Sequence, residues 1–377
     1  MSVFYSILSA LLVVNIIVLV HELGHYYAAR RLGVKVKIFS IGMGSELFGF
    51  TDKNETRWRV SALPIGGYVM MLGDGDVSST TEDGKALESL SDEEKKETIC
   101  FKSNWEKMLI SFAGPLANYA YAFVVVVILG LTFGMPKYDP VIGNVASESA
   151  AAQAGFVAGD RVLTVDGSIV ERFRDIVKAI GNSEKESFVF SIERNGQPLS
   201  LTLTPEIKET KRAFGRIKKT RVSGIEAREP IFERLSIVDS VRRAFAECVN
   251  ATCDIIKALS MLFSGKKSID DFGGIVHMTS VASDISKTGN IILLIIFSVT
   301  LSLNLGFFNL LPLPVLDGGK ILICFIEQIA NRKINQKLME NIMIGCALLL
   351  ILFMFVTTVN DILRIEVVGN FFSRMFG

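Results

Sequence analysis

The run Val3–Val20, VFYSILSALLVVNIIVLV, ends directly on His21-Glu22-Leu23-Gly24-His25. It contains no charged residue. A helix crosses a bilayer with roughly 20 apolar residues, and the flanks of this run complete that length. It lacks a basic leader and a small-residue cleavage site, so it reads as a retained helix rather than a signal peptide. Three more uncharged blocks follow, Met108–Phe133, Ile291–Leu316 and Ile342–Val359. Half of the 377 residues are hydrophobic, and they are concentrated in these blocks. The pattern predicts a multi-pass α-helical membrane protein with about four transmembrane helices. The net charge of +1 gives no reason to expect a nucleic-acid partner. The five cysteines form neither a C-x-x-C pair nor a disulfide framework.

Basic residues order the loops. Arg30, Arg31, Lys35 and Lys37 follow the first block, Lys102 and Lys107 precede the second, and Lys320, Arg332, Lys333 and Lys337 separate the third from the fourth. Positive loops stay inside, which predicts cytoplasmic loops and leaves both termini and the region between the second and third spans external. The expected organisation is a first helix over 1–30, a cytoplasmic region over 31–105 and a second helix over 106–134. An external domain over 138–205 and an external linker with an amphipathic helix over 206–288 come next. A third helix over 289–317, a cytoplasmic loop over 318–341, a fourth helix over 342–360 and an external tail over 361–377 complete the chain. Two period-2 stretches, Val34–Phe39 and Arg57–Leu63, predict a small antiparallel sheet at the membrane surface. Alternating short strands, helices and turns over 138–205 predict an α+β domain, with Asn195-Gly196 as a hairpin turn. Residues 206–229 read as basic and irregular, and 232–263 carry a helical apolar face.

His21, Glu22 and His25 form an H-E-x-x-H pattern. On a helix, residues four apart share a face, so both imidazoles can reach one ion. Glu22 beside them can take a proton from water on that ion. Zinc suits the pattern because it is redox-inert and tolerates a change of coordination number during hydrolysis. Ionisable residues at the end of an apolar helix are costly and mark function more often than structure. The chain has three histidines, and two of them are here. Two histidines leave the site incomplete, and the third, His277, falls on the external side. Asp317, in Leu313-Pro314-Val315-Leu316-Asp317-Gly318-Gly319, ends the third apolar block on the side of His25. Spacing alone leaves it either a third ligand or the N-cap of a helix over Gly318–Ile326.

These residues, with their surroundings, resemble the site-2 protease family of intramembrane zinc metalloproteases, in its bacterial form with one PDZ domain. The resemblance rests on His21-Glu22-Leu23-Gly24-His25 and Leu316-Asp317-Gly318, and on the approach Asn304 to Pro314. It also rests on Leu63-Pro64-Ile65-Gly66-Gly67-Tyr68, Ala113-Gly114-Pro115-Leu116-Ala117-Asn118, and the segment Ala154-Gly155 through Val165-Asp166-Gly167. It covers essentially the whole chain in order. Two departures are Lys320, where many relatives have His, and Phe272-Gly273-Gly274-Ile275, where relatives often have a Ser-Gly-Pro-Ile-like segment.

The resemblance implies Zn2+ held by His21, His25 and Asp317, with Glu22 as the catalytic base. It implies cleavage within transmembrane segments of single-pass membrane-protein substrates, as in regulated intramembrane proteolysis of anti-sigma factors or signal-peptide remnants. The expected location is the bacterial inner membrane, in contact with lipid, with the PDZ domain outside and either taking peptide carboxyl termini or acting as a steric gate. A helical substrate must unwind before cutting, because its carbonyls are engaged within the helix. Ile65, Gly66, Gly67 and Tyr68 are expected to offer a strand edge to the extended substrate. Asn309 is expected to hydrogen-bond the substrate or the developing oxyanion, or else a neighbouring helix. Pro312 and Pro314 are expected to break the third helix and let Asp317 turn inward. Pro140, Val141, Ile142 and Gly143 are the expected carboxylate-binding loop of the PDZ domain. The alternative is a membrane PDZ scaffold or transporter with an incidental H-E-x-x-H.

Overall fold

The computed structural model describes residues 2–73, 91–183, 185–211, 217–264, 285 and 289–363. His277 and Phe272-Gly273-Gly274-Ile275 lie outside the described residues. The chain divides into two compact units, one made of Met1–Ile128 with Asp239–Gly377, the other of Leu129–Val238.

The first unit opens with α1 (Ser2–Arg31), which carries the apolar run and H-E-x-x-H on one continuous helix. Strands β1 (Val36–Thr51) and β2 (Arg57–Met71) follow. Both are long and bent, and their pairing makes four rows. Phe39 pairs with Val69 on one side and Trp58 on the other, and Trp58 pairs in turn with Phe50. Gly67–Met71 is thus an outer row, and no further strand among the described residues pairs with it. Aromatic packing fixes this sheet on α1 next to the metal motif. Tyr26 meets Trp58 edge-on at 5.0 Å, and Trp58 stacks on Phe39 at 4.4 Å. A short helix, α2 (Asp92–Lys96), and a single 3-10 turn lead to α3 (Asn104–Thr132). Gly24 sits where α1 meets α3. A Cβ there would run into the main chain of Ala113, so the helices approach this closely because residue 24 is glycine.

The second unit contains β3 (Met135–Lys137), β4 (Ile142–Val145), α4 (Ala150–Gln153), β5 (Arg161–Val165), β6 (Ser168–Ile169), α5 (Phe173–Asn182), β7 (Phe188–Arg194) and β8 (Gln197–Leu203). A four-stranded antiparallel sheet in the order β6-β5-β7-β8 encloses a core that includes Phe156, Ile176, Phe188, Phe190 and Leu203. Asn195 and Gly196 both have positive φ, as a two-residue hairpin turn of this hand requires. Asp160 is fully buried and is held by Nε and Nη2 of Arg194 at 2.7 and 2.8 Å and by the Val157 N–H at 2.9 Å. The described residues of 206–229 are not irregular as expected. They form β9 (Glu206–Lys211) and β10 (Ile217–Val222), paired antiparallel, and β11 (Ile225–Ala227), paired with β4. β12 (Ile231–Glu233) pairs with β3, so the expected helix over 232–263 begins later, as α6 (Ile237–Phe263).

From Asp239 the chain is in the first unit again, so nearly all of α6 belongs there, and three more helices follow among the described residues. They are α7 (Ile291–Asn309), α8 (Asp317–Ala330) and α9 (Gln336–Leu363). The third helix therefore stops at Asn309 and does not reach 317. Pro312 has no N–H to continue it, and Pro312 and Pro314 lie in the turn before α8. The expected loop over 318–341 is largely helical, because α8 occupies its first half. Among the described residues, four helical stretches are long and apolar enough to cross a membrane, namely Leu11–Arg31, Asn104–Thr132, Ile291–Asn309 and Lys337–Val359.

Candidate metal centre

His21 and His25 stand one turn apart on α1, with ring centroids 4.8 Å apart and planes nearly perpendicular. Asp317 reaches them from the first residue of α8, whose N-cap is Leu316. Asp317 is therefore not the N-cap that its spacing allowed. The turn that delivers it depends on glycines. A Cβ on Gly318 would strike the carbonyl of Leu310, and one on Gly319 would strike that of Leu313. All three site residues are buried.

Their ligand atoms form a small triangle. His21 Nε2 lies 3.2 Å from His25 Nε2, and Asp317 Oδ2 lies 3.1 and 3.3 Å from those two atoms. Tetrahedral zinc with bonds of about 2.0–2.1 Å places its ligand atoms roughly 3.3 Å apart, so the triangle fits that ion. The protonation pattern fits as well. His25 Nδ1 faces the Ile110 carbonyl at 2.8 Å, and a carbonyl can only accept. The proton of a neutral His25 ring is thus on Nδ1, and the lone pair of Nε2 points into the triangle. Lone pairs converging this closely in a buried site repel one another unless a cation lies between them. Lys320 supplies no such cation. Its ammonium is exposed, 3.9 Å from the other oxygen, Oδ1, of Asp317.

The surrounding helices leave room for the rings. Gly114 of α3 faces both histidines, and a Cβ there would collide with His25 Nε2 and come within 2.9 Å of His21 Cε1. Asn309, the last residue of α7, brings Nδ2 to 3.4 Å from His21 Nε2. Asn118 of α3 is fully buried with Nδ2 3.3 Å from His21 Nδ1. Gly114 and Asn118 belong to a stretch that enters the sequence reading only as one of the segments carrying the resemblance. Their one local signal is a glycine and an amide inside an apolar block.

Glu22 lines a narrow cleft together with Asn15, Val18 and Leu19 of α1, Phe39, Ser40 and Ile41 of β1, and Gly66 and Gly67 of β2. A Cβ on Gly67 would meet Val18 at 3.3 Å and Cγ of Glu22 at 3.4 Å. Asn15 Nδ2 donates to the Pro64 carbonyl at 2.8 Å and ties this end of β2 to the helix. Tyr68 turns aside, and its ring lies under the Arg59 guanidinium at 5.1 Å. Ile65 is in the same strand. Pro312 and Pro314 lie in the turn between α7 and α8.

In the second unit, Pro140–Gly143 differs from an open loop. Val141 bridges to Arg161, and Ile142 and Gly143 are in β4. The N–H groups of Val141 and Ile142 already donate to Asp139 O and Asp160 O, so a carboxylate arriving there would have to displace them.

The sequence profile of peptidase family M50 matches residues 9–353. A "Putative zinc metalloprotease" of Mesorhizobium japonicum is 33% identical over 356 residues, 93% of this chain and 97% of the relative. One of the same description from Campylobacter jejuni is 37% identical over 366 residues, covering 96% and 95%. Metalloprotease MmpA of Caulobacter vibrioides is 32% identical over 393 residues, covering 97% and 98%. With a match of this extent, and a buried His-His-Asp group at the end of an apolar helix, the chain belongs to peptidase family M50 and is a membrane-embedded zinc metalloprotease.

Proposed function

We propose that this protein hydrolyses peptide bonds in transmembrane segments of single-pass membrane proteins, with zinc on His21, His25 and Asp317 and Glu22 as the base. The observation that carries the reading is the triangle of ligand atoms within one turn of Glu22, beside a strand row whose outer side pairs with no strand among the described residues. Bound there, zinc would supply Lewis acidity and water of lowered pKa. Glu22 takes the proton of the attacking water and returns it to the leaving amine. The missing Cβ of Gly67 lets β2 pack closely on Val18 and Glu22 of α1, which holds the outer row beside the base. The outer row Gly67–Met71 gives an unwound substrate partners for the N–H and C=O groups it loses from its own helix. Asn309 directs an amide toward the same place and suits an oxyanion or a substrate carbonyl.

The basic residues after α1 and around α8 support a cytoplasmic site and hairpin, with the 129–238 unit outside the inner membrane. A four-stranded antiparallel sheet with two short helices suits a PDZ domain, whose ligands are peptide carboxyl termini. Removal of a substrate's external part creates such a terminus, which places this enzyme second in a cleavage sequence.

The test is a comparison of membrane proteomes from cells carrying the wild type or Glu22→Gln. The variant should keep its zinc and lose cleavage by a factor on the order of 10² or more, with membrane-protein stubs accumulating. Unchanged stubs with normal turnover would instead favour a scaffold or transporter.

A further inference from the structure

His21 has the same requirement that Ile110 meets for His25. If its Nε2 lone pair faces the triangle, the proton of the neutral ring is on Nδ1 and that atom can only donate. The group opposite Nδ1 is the Asn118 amide. As placed, the amide presents Nδ2, a donor, while its Oδ1 is buried without a hydrogen-bond partner. Two donors face each other and one acceptor is idle. Rotating the amide by 180° exchanges its two ends, which have nearly the same shape. The oxygen then accepts from His21 Nδ1–H, which replaces the two facing donors by a hydrogen bond, and the NH2 group takes the buried position that Oδ1 held.

We propose that Asn118 is a positioning residue for zinc, its amide oxygen holding His21 in the tautomer and orientation that direct Nε2 into the site. The inference rests on the ligand assignment proposed above. The surroundings suit the role. Asn118 is fully buried, and Ser302 of α7 donates to its main-chain carbonyl at 3.0 Å. α7 continues to Asn309, whose side chain reaches the other nitrogen of the same ring. One histidine is thus contacted at Nδ1 from α3 and at Nε2 from the end of α7. Of these two contacts, the acceptor on Nδ1 is the one that raises the basicity of Nε2 and restricts ring rotation.

The experiment measures zinc affinity by chelator competition in full-length protein in detergent, and the visible spectrum after cobalt replacement. Asn118→Leu keeps the size and removes the acceptor. Asn118→Asp keeps the acceptor and removes the donor. The leucine variant should bind zinc about 10- to 100-fold more weakly and show an altered cobalt spectrum, while the aspartate variant stays within about threefold of wild type and keeps the spectrum. Wild-type affinity in Asn118→Leu would overturn the proposal. So would an Asn118→Asp as weak as Asn118→Leu, which would mean that the amide acts by donating or by packing alone. A wild type that binds no zinc would overturn the ligand assignment first and the positioning role with it.

Discussion

Two buried aspartates in this protein have opposite surroundings. Asp160, in the 129–238 unit, has a permanent cation against both oxygens and a backbone N–H besides. Asp317 has two imidazole nitrogens against one oxygen, and the nearest ammonium is exposed and farther away. The first carboxylate is complete within the chain. The second is stable as an anion only when something positive joins it, since a buried charge needs a partner. A closed pair of this kind holds a fold together, and an open one holds a ligand.

Of the changes that leave the ligands and the base in place, a large effect is expected from closing the open site with a methyl group. Gly114→Ala places Cβ against the His25 ring, so zinc affinity should fall by about tenfold or more while the helices still assemble. Chelator competition measures this, and unchanged affinity would mean that the rings do not hold the metal where the triangle puts it. A comparable effect on cleavage, with zinc retained, is expected from the approach to the site. Val69→Pro removes an N–H from the outer row and should reduce cleavage by about tenfold, whereas Val69→Ala should change it little. Substrates with helix-breaking residues should recover part of the loss, because less unwinding remains to be done. Equal cleavage by both variants at equal zinc would return Ile65–Val69 to a structural role.

The smallest effect concerns the closed pair. Burial raises the Asp160 pKa, but the Arg194 guanidinium and the Val157 N–H lower it more, so the carboxyl lies below its ordinary range. A carboxyl depressed in the folded state adds stability that is present above its unfolded pKa, about 3.9, and is lost as pH falls from there through the folded value. Hydrogen-exchange protection of 156–194 in the full chain, corrected for intrinsic rates, should therefore weaken below about pH 4. Asp160→Asn should be less protected at pH 7 and show a flatter pH dependence. Identical profiles would mean that the pair contributes nothing measurable.

The sequence made one half of the metal site easy to find and the other half hard. His21 and His25 are one helical turn apart, so local geometry alone brings them together. Asp317 lies far along the chain, and a residue before two glycines looks the same whether it caps a helix or binds a metal. Its position at the head of α8, with Leu316 as the N-cap, became visible only in three dimensions. The four apolar blocks were plain, but the end of the third was not. Leu310–Leu316 is as apolar as the helix before it, and hydropathy does not distinguish a turn from a helix. The strands β9 and β10 escaped for the opposite reason. Glu206–Lys211 and Ile217–Val222 are dominated by charged and polar residues, so no apolar alternation marks them. Gly114 and Asn118 could not be assigned from their neighbours, because their partners are on α1.

The most direct test of the central claim is the zinc content of purified Asp317→Ala, measured beside wild type and Glu22→Gln. Wild type and Glu22→Gln should each carry about one zinc per chain, as a single three-ligand site requires, and Asp317→Ala should carry almost none. Full zinc in Asp317→Ala would remove Asp317 from the ligand set and contradict the site as assembled here from α1 and α8.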